Sequence, residues 1–580
     1  MTALVALLTT TAARAAAGAG DAVLDALMAE HWEFSLQEDP VLATRVGLDS
    51  GNDRLPRVTP ADDARRAARE RAFRARLADI DRDGLSESGR VNADVFGWIL
   101  DDSIGAYELD LARIPFNTFS GFFMNALTAS NGVRMETEDD YADYLSRLRD
   151  IPRYFDENLA NMRRGNDTGF VLPRIVIDGV LPTLRAQIKD DPTDSSFYQP
   201  FESMSERVPS TRQAALREEA KSVIEDDVMP AFARVADYLD GGYDASASLG
   251  AEALPQGEAY YAFQIRRYTT LTGATAAEIH QIGLDEVRRI RADMQTIIDE
   301  LEFDGDFAAF GEFLRTDPQF YADSPEQLLK EASWVAKRID YVMPGFFGRL
   351  ARQSYGIVPV PDEIAPNYTT GAYYGAPPGG DHGGAFWINT YALDQRPLYE
   401  LPALTLHEAV PGHHHQNALA LEMQDVPEFR KDLYFSAFGE GWALYSEKLG
   451  VEMGIYRTPY EHFGRLSYEM WRACRLVIDT GLHSQGWTRQ RAMDFMASNT
   501  SLSQGNIRAE VDRYISWPGQ ALAYKLGELE IWRLRGEAEA LLGDRFDLRA
   551  FHDAVLENGA LPLAMLDAAI ERYIDAAAGD

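Results

Sequence analysis

His407, His413, His414 and His415 are four of the ten histidines in the chain, gathered into nine residues of the stretch TLHEAVPGHHHQ at 405–416. Imidazole is the commonest metal ligand among side chains. His407 and Glu408 open the H-E-x-x-H pattern, in which two histidines four apart on one helix face hold zinc and the glutamate is the general base. Position 411 is proline, however. In a regular helix, position 414 lies nearly in line with His407 but about 10 Å along the axis, and position 413 is off-angle and about 9 Å away. Nitrogens that share one zinc each approach it to about 2 Å, so an undistorted helix cannot pair His407 with any later histidine of the cluster. Pro411 removes a backbone donor and crowds the carbonyl of residue 407, and Gly412 admits unusual dihedrals. Together they predict a bulge that absorbs two residues and puts His413 in the position of the second ligand, with His414 as the alternative.

Catalytic zinc takes three protein ligands and a water. The segment SAFGEGWALYSEKLG supplies Glu440, 27 residues after His413, on a second expected helix. A glutamate there, on a helix facing the first, suits the third place. Glu447 lies two turns further, about 10 Å along the axis, and suits a carboxylate that orients a ligating histidine. Two histidines and a carboxylate favour zinc among the divalent metals. Glu408 beside His407 is the residue a hydrolase needs as base and a mere binding module does not. No G-x-S-x-G and no phosphate-binding G-x-x-x-x-G-K-[ST] competes.

These residues need rigid elements to hold them, and most of the chain reads as helix. Thr59-Pro60 caps a helical run with an acidic first turn, Ser324-Pro325 opens another, and the periodic segment from Glu138 is expected to break at Pro152. YGIVPVP (355–361) and GAFWINTY (384–391) are β-branched and aromatic and read as strands, separated by a glycine- and proline-rich loop that contains His382. The expectation is a mainly α fold with a small β-sheet directly before the His-Glu helix. Length alone predicts about four domains. No linker or repeat divides the chain, so a single helical unit over 21–580 is expected, in lobes of about 21–250 and 251–580.

A net charge of −35 argues against nucleic acid and anionic lipid as partners. The single cysteine, Cys474, excludes an internal disulfide and a cysteine-rich zinc site. Residues 1–20 read as the remnant of a secretory signal, with Ala13-Arg14-Ala15 as a small-residue cleavage site, which points to the periplasm or secretion; without it the protein is cytoplasmic. No apolar run is long enough to span a membrane.

The motifs HEAVPGHHHQ, EGWALYSE and WPGQALAYKLGELE resemble the bacterial domain of unknown function 885 family, whose pattern H-E-x-x-P-G-H matches His407, Glu408, Pro411, Gly412 and His413. Members of that family go by the description of lipoproteins or zinc-peptidase-like hydrolases. The family is similar in turn to helical zinc peptidases of the angiotensin-converting-enzyme and thimet-oligopeptidase type. The resemblance implies a two-lobed helical fold with a deep central channel, a short peptide as substrate, and a tyrosine, sometimes with a histidine, that donates to the oxyanion. Of Arg513, Tyr514, Tyr524 and Lys525, Tyr524 is favoured for that task and Tyr514 is second; His483 is a further candidate donor. The resemblance also gives GAFWINTY the role of a sheet edge that takes the substrate backbone as an added strand. His280, on an apolar face, reads as a core residue, and His382 as solvated or touching substrate. A zinc-dependent metallopeptidase is therefore the leading reading. A zinc hydrolase of another amide or ester, and a metal- or peptide-binding protein without catalysis, are the alternatives.

Overall fold

Helix boundaries follow local capping chemistry. Thr59 accepts the Asp62 N–H at 3.2 Å and Pro60 fills the first position of the helix Pro60–Ala78. Ser324 accepts the Gln327 N–H at 3.2 Å ahead of Pro325–Val342. The expected break at Pro152 does not occur: Glu138–Thr168 is one helix that runs through the proline. Leu148, Ile151, Tyr154 and Phe155 around it are all buried, and packing on that scale outweighs one lost backbone bond.

The computed structural model describes residues 2–362, 364–376 and 382–579, with side chains from residue 20 onward except 367. Residues 2–38 form one helix; the side chains of Ala13-Arg14-Ala15, the expected cleavage site, lie outside the described residues. The chain divides into two compact units, Met1–Leu249 with Ala253–Pro255, and Gly250–Glu252 with Gln256–Asp580. The first is helical throughout, with aromatic clusters such as Phe122, Tyr154, Phe155 and Phe232 at its centre. No helix among the described residues is long and apolar enough to cross a membrane.

The second unit carries every residue of the candidate site. The helices that bear on the site are α1 (Ala276–Glu300), α2 (Pro325–Val342), α3 (Leu401–Glu408), α4 (His413–Leu421), α5 (Ser436–Glu452), α6 (Pro459–Ser484), α7 (Gln504–Ser516) and α8 (Ala523–Leu542). α1 packs along α6, and α5 packs along α8. Between α2 and α3 lies a three-stranded sheet, β1 (Tyr355–Pro359), β2 (Gly371–Tyr374) and β3 (Gly384–Ile388), in the order β1-β3-β2. β1 runs parallel to β3 with Tyr355 opposite Gly384, and β2 is antiparallel with Gly371 opposite Ile388. So the chain is mainly α with a small sheet, as composition and periodicity imply.

Two details of the sheet differ from the sequence reading. β2 reaches Tyr373 and Tyr374, at the start of the segment expected to be loop. β3, from GAFWINTY, is the central strand with a neighbour on each side, so it has no free edge for an added strand. The sheet's edge strands are β1 and β2.

Candidate metal centre

Every residue of α3 is buried. The helix stops at Glu408, passes through a cis Val410–Pro411 bond, and the next helix, α4, starts at His413. The Gly412 N–H donates back to the Leu406 carbonyl at 3.0 Å, and the His414 N–H to the Ala409 carbonyl at 3.1 Å. A Cβ on Gly412 would stand 1.9 Å from the His407 carbonyl oxygen, so only glycine permits so close a fold-back. The Pro411 carbonyl is anchored by Trp442 Nε1 of α5 at 2.7 Å. The Pro-Gly pair therefore ends one helix and starts another, where a bulge in a continuous helix was expected.

The break turns His413 towards His407: their ring centroids are 4.9 Å apart, with the planes at 87°. Glu440 of α5 completes the group. Its Oε2 lies 3.6 Å from His407 Nε2 and 3.4 Å from His413 Nε2. One ligand atom from each of the three side chains falls within 4.8 Å of the others, a grouping that could hold a metal ion. Glu447, also on α5 and fully buried, accepts from His407 Nδ1 at 2.8 Å. A carboxylate only accepts, so Nδ1 carries a hydrogen, and Nε2 is the nitrogen turned to the shared centre. Tyr434 donates to Glu440 Oε1 at 3.0 Å and steadies that carboxylate.

The electrostatics match this arrangement. Burial pulls the His407 pKa down, but its hydrogen bonds to Glu440 and Glu447 and the Glu408 charge outweigh it and carry it up to about 10. For Glu440, burial favours the neutral form, yet the two histidines hold its carboxyl well below the usual range. The cluster stabilises positive charge at its centre, whether carried by protons or by a cation.

A cavity of about 340 Å³ opens on this cluster. Its walls include His407, Glu408, His413, Glu440, Tyr434 and Tyr524, together with β2 and the residues before it from Thr369. Tyr524 accepts from Arg513 Nη2 at 3.2 Å and Gln520 Nε2 at 3.4 Å. Tyr514 is not a wall of this cavity. Its hydroxyl donates to Glu510 at 2.7 Å and accepts from Trp471 Nε1 at 3.1 Å and Arg475 Nε at 3.0 Å, inside the core. His483 is also outside. Its Nδ1 accepts from the Ala251 N–H at 3.1 Å and its Nε2 meets the Tyr514 carbonyl at 2.9 Å, so both nitrogens serve the backbone. Burial pushes its pKa down to about 4. Tyr514, second to Tyr524 as donor, and His483, the further candidate, are thus buried core residues away from the cavity walls.

The remaining histidines fall elsewhere. His414 meets Tyr373 Oη at 3.1 Å and the Gln353 carbonyl at 3.0 Å, with both ring nitrogens occupied away from the cluster. His415 is buried against Phe347. His280 bonds Thr480 Oγ1 at 2.8 Å and is half-buried, at the margin of the core. His382 is exposed, beside residues 377–381, which lie outside the described residues. Lys525 is enclosed by Glu286, Glu469 and Glu528 and cannot reach substrate. Arg472 and Arg475, which line the cavity, have no place in the motif reading. Their signal was the spacing Tyr468, Trp471, Arg472, Arg475, one face of a helix that is otherwise almost entirely buried.

These features define a helical protein with a two-histidine, two-glutamate cluster at the foot of a small sheet. Residues 40–570 match the model of the bacterial proteins of unknown function called DUF885, and the chain belongs to that family. No curated protein matches it. The crystal structure of a candidate lipoprotein from Colwellia psychrerythraea shares 28% identity with a TM-score of 0.91, over 96% of this chain and 100% of that one. A candidate lipoprotein of unknown function from Shewanella oneidensis shares the fold at 17% identity and a TM-score of 0.72, over 93% of this chain and 98% of that one.

Proposed function

We propose that the protein is a zinc-dependent hydrolase, and within that class a metallopeptidase that cleaves short peptides. The convergence of His407, His413 and Glu440 within 4.8 Å, with Glu408 on the wall of the same cavity, carries this reading. Two imidazoles and a carboxylate, one imidazole oriented by a buried glutamate, form a donor set suited to zinc. Zinc bound there supplies Lewis acidity, lowering the pKa of water and polarising a carbonyl.

The chain's own groups do the rest. Glu408 takes a proton from the attacking water and passes it to the leaving amine as the C–N bond breaks. Arg513 and Gln520 donate to the Tyr524 oxygen, so its own hydrogen is free to turn to the oxyanion. β2 offers the unpaired sheet edge beside the cluster, and an extended peptide hydrogen-bonds there through its backbone. The likeness to the Colwellia protein supports a place in the cell envelope.

Metal analysis of the purified protein, followed by a peptide-library assay with and without chelator, tests the class. In Glu408→Gln, zinc content should stay at the wild-type level while peptide turnover falls by roughly 10²–10⁴. Wild-type turnover in that variant removes Glu408 from the mechanism.

A further inference from the structure

One face of α6 turns Tyr468, Trp471, Arg472 and Arg475 to the cavity that holds the histidine cluster, and Arg513 of α7 joins them. Three guanidinium groups on one wall stand out in a chain of net charge −35. Arg472 is 5% exposed and Arg475 2%, and neither has its hydrogen-bonding capacity filled. Arg475 gives Nε to Tyr514 and Nη2 to Glu510, each at 3.0 Å, while its Nη1 has no hydrogen-bond partner among the described residues. Arg472 is sparser still. Its Nε has none, Nη1 reaches only the Tyr468 carbonyl at 3.5 Å, and Nη2 is 3.7 Å from a Glu447 oxygen already committed to His407.

A guanidinium never gives up its charge, and burying it with donors unfilled is costly. Aromatic rings nevertheless fix both groups. The Arg472 guanidinium lies 4.4 Å from the centre of Trp471, and that of Arg475 lies 4.1 Å from the centre of Tyr524. Of the cavity's three glutamates, Glu440 belongs to the ligand cluster and Glu408 to proton transfer. That leaves Glu510, paired with Arg475 and Arg513, and Glu447, 3.7 Å from Arg472 and shared with His407, to balance three arginines.

We infer that Arg472 and Arg475, with Arg513, form a carboxylate-binding subsite, and that the substrates are short peptides held by a free C-terminal carboxylate close to the scissile bond. The planar fork of a guanidinium pairs with a carboxylate through two parallel hydrogen bonds, and every unblocked peptide carries that group at its end. The inference rests on the peptidase reading for its substrate, but not for its anion.

Calorimetry on the Glu408→Gln protein, which binds without turnover, tests it with three probes: acetyl-trialanine as the free acid, the same peptide as the amide, and acetyl-Ala-Asp-Ala amide. The free acid should bind at least tenfold more tightly than its amide. Adding Arg472→Gln should remove that preference and leave amide binding unchanged. Equal binding of acid and amide by the parent protein overturns the subsite, whether or not the Arg472 variant folds. Tight binding of the aspartyl amide overturns the C-terminal assignment and gives the subsite to an acidic side chain. Wild-type hydrolysis of acid and amide with equal kcat/KM overturns the inference and spares the peptidase reading. Hydrolysis of neither, with the binding gap intact, does the reverse.

Discussion

Glu440 reaches the histidines because α5 and α8 cross backbone to backbone one residue away, at Gly441 and Gly527. A Cβ on Gly527 would meet the Ala437 carbonyl oxygen at 1.9 Å, and one on Gly441 would meet Gly527 Cα at 2.5 Å. Ordinary contact begins at 3.4 Å, so Gly527→Ala must separate the helices locally by about 1.5 Å, whereas metal ligands tolerate only about 0.2 Å. Overpacking of this kind costs about 1–3 kcal/mol. Gly536, on the same helix, is exposed with nothing within 4 Å of an added Cβ, and alanine there gains about 0.5–1 kcal/mol from helix propensity. The two alanine variants should therefore differ by about 1.5–4 kcal/mol in stability. Urea unfolding followed by circular dichroism measures that gap, and competition with a chromophoric chelator measures zinc affinity. Gly527→Ala should lower the unfolding midpoint and weaken zinc at least tenfold; Gly536→Ala should raise the midpoint and leave zinc unchanged. If Gly527→Ala keeps the wild-type midpoint and zinc affinity, this crossing does not position Glu440.

His413→Ala should empty the metal site. His414→Ala should keep the metal and cost about 1–3 kcal/mol, because Tyr373 and the Gln353 carbonyl lose their partner; zinc loss confined to His414→Ala reverses the ligand assignment. Tyr524→Phe should lower kcat by roughly 10²–10³ with little change in KM, whereas Tyr514→Phe should mainly lower stability, since its hydroxyl serves Glu510, Trp471 and Arg475 in the core; a kcat loss seen only with Tyr514→Phe moves the role. In metal-free protein, the raised His407 pKa stabilises the fold below about 6.5, and that contribution drains away as the pH climbs towards about 10. His415 and His552, pushed down to about 3 by burial, and His483 to about 4, act in the opposite sense: their contribution is whole above 6.5 and is lost as the pH falls towards those values. Stability of the metal-free protein should therefore peak near pH 6.5, and zinc, by replacing the proton, should flatten the alkaline limb. A metal-free profile level from pH 6.5 to 10 contradicts the His407 assignment.

Much of this site is legible in the sequence because its information is local. A proline four residues after His407, followed at once by glycine, weighs against a regular helix through the cluster. Glycine after the proline indicates where the chain turns back, and the helical spacing of Glu440 and Glu447 separates a residue that meets the histidines from one that stands behind them. The small sheet before the His-Glu helix follows from β-branched and aromatic runs in a chain otherwise periodic at the helical repeat.

Other features depend on partners distant in sequence, and here local reading fails or is silent. Pro152 should end a helix by its own chemistry, but tertiary burial around it keeps the helix whole. GAFWINTY reads as a strand, yet a strand's composition does not say whether a neighbour lies on one side or both, and the pairing with Tyr355–Pro359 and Gly371–Tyr374 makes it central. Tyr514 and Tyr524 look alike in sequence; what separates them is which hydroxyl is enclosed by Glu510, Trp471 and Arg475, and those contacts join two helices. The sequence by itself determined the mainly helical class and the residues able to ligate a metal, through spacing along single helices. Only the tertiary structure decided which edge is free, which tyrosine meets the cavity and where the arginine wall stands, because each is set by side chains that converge from segments far apart in the chain.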